Sequence, residues 1–203
     1  MQQLAAAIHN FVVVGGGICS AQLAMVTSDT LTGRIYGKLN RGSTLRDIMR
    51  AHAPDIVVVG AGPHLTSVDD FDEVLRYTAA VFAEERTPRA RLVWRTTLGA
   101  GCTPSGVPLV PIEAPNASFW GNRRSGVYQD YNFPLMQNWD ESSKVFWRGR
   151  DNTSVLDLTP LWMRFDSRIS SGQSLPLSNC VHVCVPGPLR LAGRLLTRIL
   201  TEG

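Results

Sequence analysis

A chain of 203 residues with 44% hydrophobic and 18% charged residues is long enough to bury a core and too apolar to stay disordered, and residues 1–203 read as one domain. Its formal net charge of +3 comes from arginines scattered along the chain, which argues against a nucleic-acid partner; Arg190, Arg194 and Arg198 recur at helical spacing and read as one solvated helix face. No apolar run approaches the roughly 20 residues that a membrane span needs, and the residues from Met1 to Ile8 lack the basic start of a signal peptide.

Strand-sized apolar runs alternate with helical periodicity, the pattern of an α/β protein with a mainly parallel sheet. Residues 10–14 read as a strand leading into Gly15, Gly16 and Gly17, and residues 21–27 as a second, weaker strand. Residues 44–51 have helical character, with Leu45, Ile48 and Met49 on one face and Pro54 beyond the end. Residues 55–59 form the clearest buried strand, a β-branched run ending at Gly60. Residues 68–85 follow as an amphipathic helix, with Phe71, Val74, Leu75, Thr78, Ala79 and Phe82 on one stripe. Residues 91–96 are another strand, and residues 98–122 a long loop rich in Gly, Pro and Ser, a kind of loop that often carries function. Residues 128–137 suggest a helix or an irregular turn, 145–148 a short strand, 155–158 a last edge strand, and 189–200 a closing amphipathic helix. There is no internal repeat.

Two glycine-rich segments imitate a dinucleotide-binding turn, Gly15-Gly16-Gly17 and Gly60-Ala61-Gly62. Ser20 and Leu65 stand where the third glycine of that motif belongs, and neither segment has an acidic residue correctly placed for a ribose. Strand-to-turn glycines account for both, and no cofactor is expected. Four cysteines, Cys19, Cys102, Cys180 and Cys184, permit three disulfide pairings or could stay reduced. Cys180, His182 and Cys184 are spaced two apart, unlike a zinc knuckle, so no metal is expected. Asn116 and Asn152 open glycosylation sequons. Trp120, Trp139, Trp147 and Trp162 suit either stacking on sugars or core packing.

Four segments, in order, resemble the PC-esterase and trichome-birefringence-like branch of the SGNH hydrolase superfamily. Residues 55–64, ending Gly60-Ala61-Gly62-Pro63-His64, resemble that family's Asp-(apolar)-Asn-x-Gly-x-His strand and loop. Trp94-Arg95-Thr96-Thr97 followed by Gly101-Cys102 resembles its Trp-Arg-Thr-Thr…Gly-Cys stretch. Leu156-Asp157-Leu158, with Arg164 and Asp166, resembles the approach to its terminal block. Asn179-Cys180-x-His182-x-Cys184-x-Pro186-Gly187 is similar to that block itself, usually Asp-Cys-x-His-(aromatic)-Cys-x-Pro-Gly.

The resemblance implies a three-layer α/β/α sandwich of SGNH or flavodoxin-like type, and an O-acetyl esterase or transferase acting on a glycan or another small O-acylated substrate. It also implies work in the Golgi lumen or outside the cell. Read from the residues alone, Cys180 and Cys184 most simply staple the terminal loop, with Cys102 as one candidate partner. In such chemistry a histidine takes the proton of a serine nucleophile, a carboxylate three residues earlier holds that histidine, and a glycine N–H and an asparagine stabilise the oxyanion. Here His182 matches the base and Gly62 the loop glycine, with His64 at the rim. Asn179 stands in the place of the carboxylate, Gly60 in that of the oxyanion asparagine, and no Gly-Asp-Ser block is present. Met1-Gln2-Gln3-Leu4 looks like the continuation of a nucleophile block, which leads to the expectation that the serine precedes Met1. The expected function is therefore an impaired or incomplete acyl-ester enzyme, or an inactive relative that binds glycan or protein in the old cleft.

Overall fold

Two neighbouring strands buried on both faces determine the architecture. In the computed structural model, which describes residues 11–16, 20–25, 31–33, 42–62, 65, 67–97, 133–163 and 187–202, β3 (Ile56–Val59) and β4 (Arg91–Arg95) lie side by side. Val57, Val58, Leu92, Val93 and Trp94 are all buried, so both faces of these strands need cover. The remaining elements are β1 (Phe11–Gly16), β2 (Ser20–Met25), α1 (Leu45–His52), α2 (Val68–Glu85), α3 (Phe133–Trp147), β5 (Thr153–Leu156), a 3-10 turn at Thr159–Met163 and α4 (Gly187–Glu202).

The sheet order is β2-β1-β3-β4-β5. β3, β4 and β5 are parallel, joined through α2 and α3 as crossovers. β1 is antiparallel to both β2 and β3. The order is that of flavodoxin-like doubly wound sheets, and the reversed direction of β1 alone is the departure from their all-parallel form. Gly16 pairs with Ser20, so Gly15 and Gly16 belong to a hairpin rather than to a strand-to-helix turn that could cradle a phosphate.

Alternation along the parallel strands sorts the core into two clusters. Val57, Val59, Leu92 and Trp94 face Leu45 and Met49 of α1, Phe71, Val74 and Leu75 of α2, and Met136, Trp139 and Trp147 of α3. Val58, Val93 and Leu156 pack on the other face, where Leu195, Leu196 and Ile199 of α4 cover them. The result is a three-layer α/β/α arrangement. Aromatic rings tie the first layer together: Phe71 stacks on Trp139 at 5.3 Å and meets Trp94 edge-on at 6.2 Å, and Trp94 stacks on Trp147 at 5.6 Å. Trp139 and Trp147 are thus core residues, not a sugar platform. On the opposite face the Arg91 guanidinium donates to the carbonyls of Leu200 and Ile199 at 3.2 and 3.0 Å, satisfying open acceptors at the end of α4.

Local signals set the helix ends. Thr44 and Asp47 form a reciprocal capping box at α1, which stops at Ala53 in the left-handed region ahead of Pro54. Ser67 caps α2, and Asp69 and Asp70 sit favourably in its first turn.

The strand expected at 145–148 is instead the end of α3, and the helix or turn expected at 128–137 begins at Phe133 and runs on to Trp147. Val145, Phe146 and Trp147 have strand propensity, but tertiary packing overrides it. Met136, Trp139, Asp140, Ser143 and Trp147 are buried at helical spacing, while Val145 is 67% exposed. The edge strand expected at 155–158 forms two residues earlier, as Thr153–Leu156.

These packing assignments predict a sharp contrast between two alanine substitutions. Phe71→Ala should cost about 3–5 kcal/mol, the range for a buried aromatic. Val145→Ala should stay within about 0.5 kcal/mol, because the side chain is exposed on a helix. Urea unfolding of the two variants measures the difference directly.

Candidate functional site

The carboxyl ends of β3, β4 and β5 come together, and in sheets of this kind ligands bind outside those ends. β3 runs into Gly60-Ala61-Gly62, a segment with no room for side chains at its glycines. A Cβ at Gly60 would lie 2.4 Å from the carbonyl oxygen of Arg95, and one at Gly62 would lie 2.4 Å from Cγ2 of Thr97. Both contacts are far closer than real Cβ atoms approach, so glycine is required by proximity here. The Gly62 carbonyl then accepts from the Leu65 amide at 3.0 Å, turning the chain toward α2.

β4 leaves the sheet through Arg95-Thr96-Thr97, and each of the two threonines is held by a different element. The Thr96 amide donates to the Leu156 carbonyl at 3.1 Å, and the Leu158 amide donates to the Thr96 hydroxyl at 2.7 Å, fastening this end to β5. Thr97 is fastened to α3. Its amide donates to both Asp140 carboxylate oxygens, at 3.0 and 3.2 Å, and its hydroxyl bonds Oδ2 at 2.7 Å.

Asp140 is 1% exposed. Burial pushes its carboxyl up from 3.8 to about 7, against the hydrogen bonds from Thr97 and the charge of Arg95, while the Asp157 charge pushes it further up. Arg95 keeps some solvent contact as a residue, yet burial still lowers its guanidinium pKa, an effect the Asp140 charge partly opposes. The guanidinium stays charged at any working pH. Beside this pair, burial would raise the Asp157 carboxyl, but hydrogen bonds from Thr159 and Lys144 outweigh it and hold the group below its ordinary value. The Lys144 ammonium lies 3.3 Å from Asp157 and 2.6 Å from Glu141.

The arrangement sets two glycines against the end of β4, beside a buried carboxyl whose pKa burial raises to about 7. Asp140 is too buried and too committed to Thr97 to reach a substrate itself. It contacts this strand end through Thr97.

Gly60 and Gly62, expected at the oxyanion and substrate loop, are both at this strand end. Asn152 is exposed on the turn before β5, at the opposite end of the parallel strands, with φ 54 and its carbonyl accepting from the Leu92 amide. His182, Asn179, His64, Asn116, Cys19, Cys102, Cys180 and Cys184 lie outside the described residues. Among the described residues no group of His, Cys, Asp and Glu could hold a metal ion, and no helix is long and apolar enough to cross a membrane. Sequence reasoning missed Asp140. Its signal was present, since it shares a buried stripe with Met136, Trp139 and Ser143, but the stripe is visible only once 133–147 is read as one helix. No protein-family model, curated protein or solved structure matches the chain.

Two measurements probe this geometry. Gly62→Ala should destabilise the protein by about 1–3 kcal/mol through overpacking. Adding Thr97→Ser, which removes Cγ2 and keeps the hydroxyl, should return part of that loss, giving a non-additive double-mutant cycle. Asp140 binds its proton more tightly folded than unfolded, so its contribution favours the fold below about pH 4 and is lost as pH rises from about 4 to about 7. Urea midpoints should therefore fall more steeply between pH 4 and pH 8 in the wild type than in Asp140→Asn. Parallel profiles would contradict the raised pKa.

Proposed function

We propose that the chain is an acyl-ester domain of the SGNH type, resembling carbohydrate O-acetyl esterases and transferases. In this reading His182 is the general base, and the Gly60–Gly62 loop lines the oxyanion side of the cleft. One observation carries most of the weight: three of the matched segments, distant in sequence, meet at one end of the sheet. Gly60 rests on Arg95, Gly62 rests on Thr97, and Thr96 is bonded to the backbone at Leu156 and Leu158. A shared ancestral site would bring those segments together, at the strand ends where ligands of doubly wound sheets bind.

The proposed activity is low. Asn179 in the carboxylate's place favours the wrong imidazole tautomer, a change worth on the order of 10⁴ in turnover. Gly60 in the asparagine's place removes one oxyanion donor, worth on the order of 10²–10³. The same two residues favour a second reading, a domain that holds an O-acylated glycan without cleaving it. By the same resemblance the protein works in the secretory pathway, where its cysteines would pair and the exposed Asn152 would be open to glycosylation.

Hydrolysis of p-nitrophenyl acetate by a protein that carries the Gly-Asp-Ser serine ahead of Met1 tests the first reading: a rate above background, abolished by His182→Ala and raised by Asn179→Asp, is expected. A background rate in all three proteins, combined with calorimetric binding of an acetylated oligosaccharide, supports the second. Neither hydrolysis nor binding would overturn both.

A further inference from the structure

We propose that Asp140 is a positioning residue for the Gly60–Gly62 loop: by holding Thr97, it fixes the end of β4 on which that loop rests. The inference about the loop's geometry stands on contacts; its bearing on catalysis or binding rests on the acyl-ester reading above.

The chain of contact is short. Asp140 projects from α3 and takes three hydrogen bonds from a single residue, Thr97, through both its amide and its hydroxyl. This fixes the Thr97 side chain as well as its backbone, because the amide and Oγ1 engage the same rigid carboxylate. Cγ2 of that threonine then forms the surface against which Gly62 is packed, at a separation that leaves no space for a methyl group. Two residues earlier along each segment, Gly60 is packed on the Arg95 carbonyl. The loop after β3 is thus seated on β4 at two alternate residues, and Asp140 anchors the outer of the two seats.

The hydrogen bonds suit both protonation states. With the carboxylate charged, Oδ2 accepts from the Thr97 hydroxyl. With the acid neutral, Oδ1 still accepts from the amide and Oδ2–H donates to Oγ1 across the same 2.7 Å. Asparagine at this position can reproduce the neutral pattern, its carbonyl accepting and its amide donating. Alanine can reproduce neither. The charged groups facing Asp140 are Arg95 at the end of β4, which favours its carboxylate form, and Asp157 beyond β5, whose like charge opposes it.

Backbone amide exchange and amide chemical shifts, resolved by NMR on the whole chain, test the assignment without needing any activity. In Asp140→Ala, exchange at Leu65 and Thr97 should accelerate about tenfold or more, as expected for losing hydrogen bonds to a buried carboxylate. Asp140→Asn should retain the protection. The Gly60 and Gly62 shifts should titrate near neutral pH in the wild type and lose that step in Asp140→Asn. Thr97→Val keeps the methyl contact and removes the hydroxyl, so it should loosen the same amides and serves as the probe if Asp140→Ala fails to fold. Unchanged exchange at Leu65 in the variant that folds, or a Gly62 titration that persists in Asp140→Asn, would overturn the proposal. If the amides respond as expected while the wild type neither hydrolyses nor binds acetyl esters, the positioning role stands and the acyl-ester reading falls.

Discussion

The fold depends on one constraint: β4 is apolar on both faces and must be covered on both. Leu92, Val93 and Trp94 have no exposed surface. Successive side chains of a strand point to opposite faces, so the run cannot be buried by helices on one side alone. Trp94 draws in Phe71 and Trp147 from two helices, and Val93 demands the apolar stripe of α4. The layers follow from that requirement, and so does the position of β4 between β3 and β5. An isolated β1–β2 hairpin would be marginal in water. Here it is stabilised by adding to the open edge of β3.

Where β4 leaves its two covering layers, its sequence changes from apolar to Arg95-Thr96-Thr97. The backbone there can no longer be satisfied by the parallel ladder alone, so side chains complete it. Thr96 extends the ladder to β5, and Thr97 turns toward α3. The three consecutive residues are thus committed to three neighbours: the loop after β3, the end of β5 and the interior of α3. A site built on such a strand end inherits the rigidity of the sheet, which a free loop would lack.

Much of the parallel core was legible in the sequence because single periodicities dominate there. The β-branched run at 56–59 and the stripe of Phe71, Val74, Leu75, Thr78 and Phe82 each admit one interpretation, and the structure has that strand and that helix. Gly60 and Gly62 were legible as turn glycines, although sequence alone could not say that Arg95 and Thr97 are what they approach. α3 was not legible, because the strand propensity of Val145, Phe146 and Trp147 and the polar Asp140 and Ser143 both obscure its stripe. Reading the stripe as broken also hid Asp140. The antiparallel direction of β1 was likewise invisible, since alternating strands and glycines look the same in either sense.

Asp140 is costly to the core that contains it, and that cost says something about why the position is acidic. A carboxyl buried to this degree loses its hydration, and its raised pKa records the loss. The neighbouring core is already imperfect in polar terms: the indole nitrogens of Trp94, Trp139 and Trp147 are buried without hydrogen-bond partners among the described residues. Leucine at 140 would suit the stripe of α3 at least as well, but it would take away the carboxylate to which both the Thr97 amide and the Thr97 hydroxyl donate. The acid therefore does not strengthen the core so much as select one geometry for the residue beside it. Hydrogen bonds from its amide and its hydroxyl to one carboxyl hold the backbone and the side chain of Thr97 together, and Gly62 packs on the methyl that they fix.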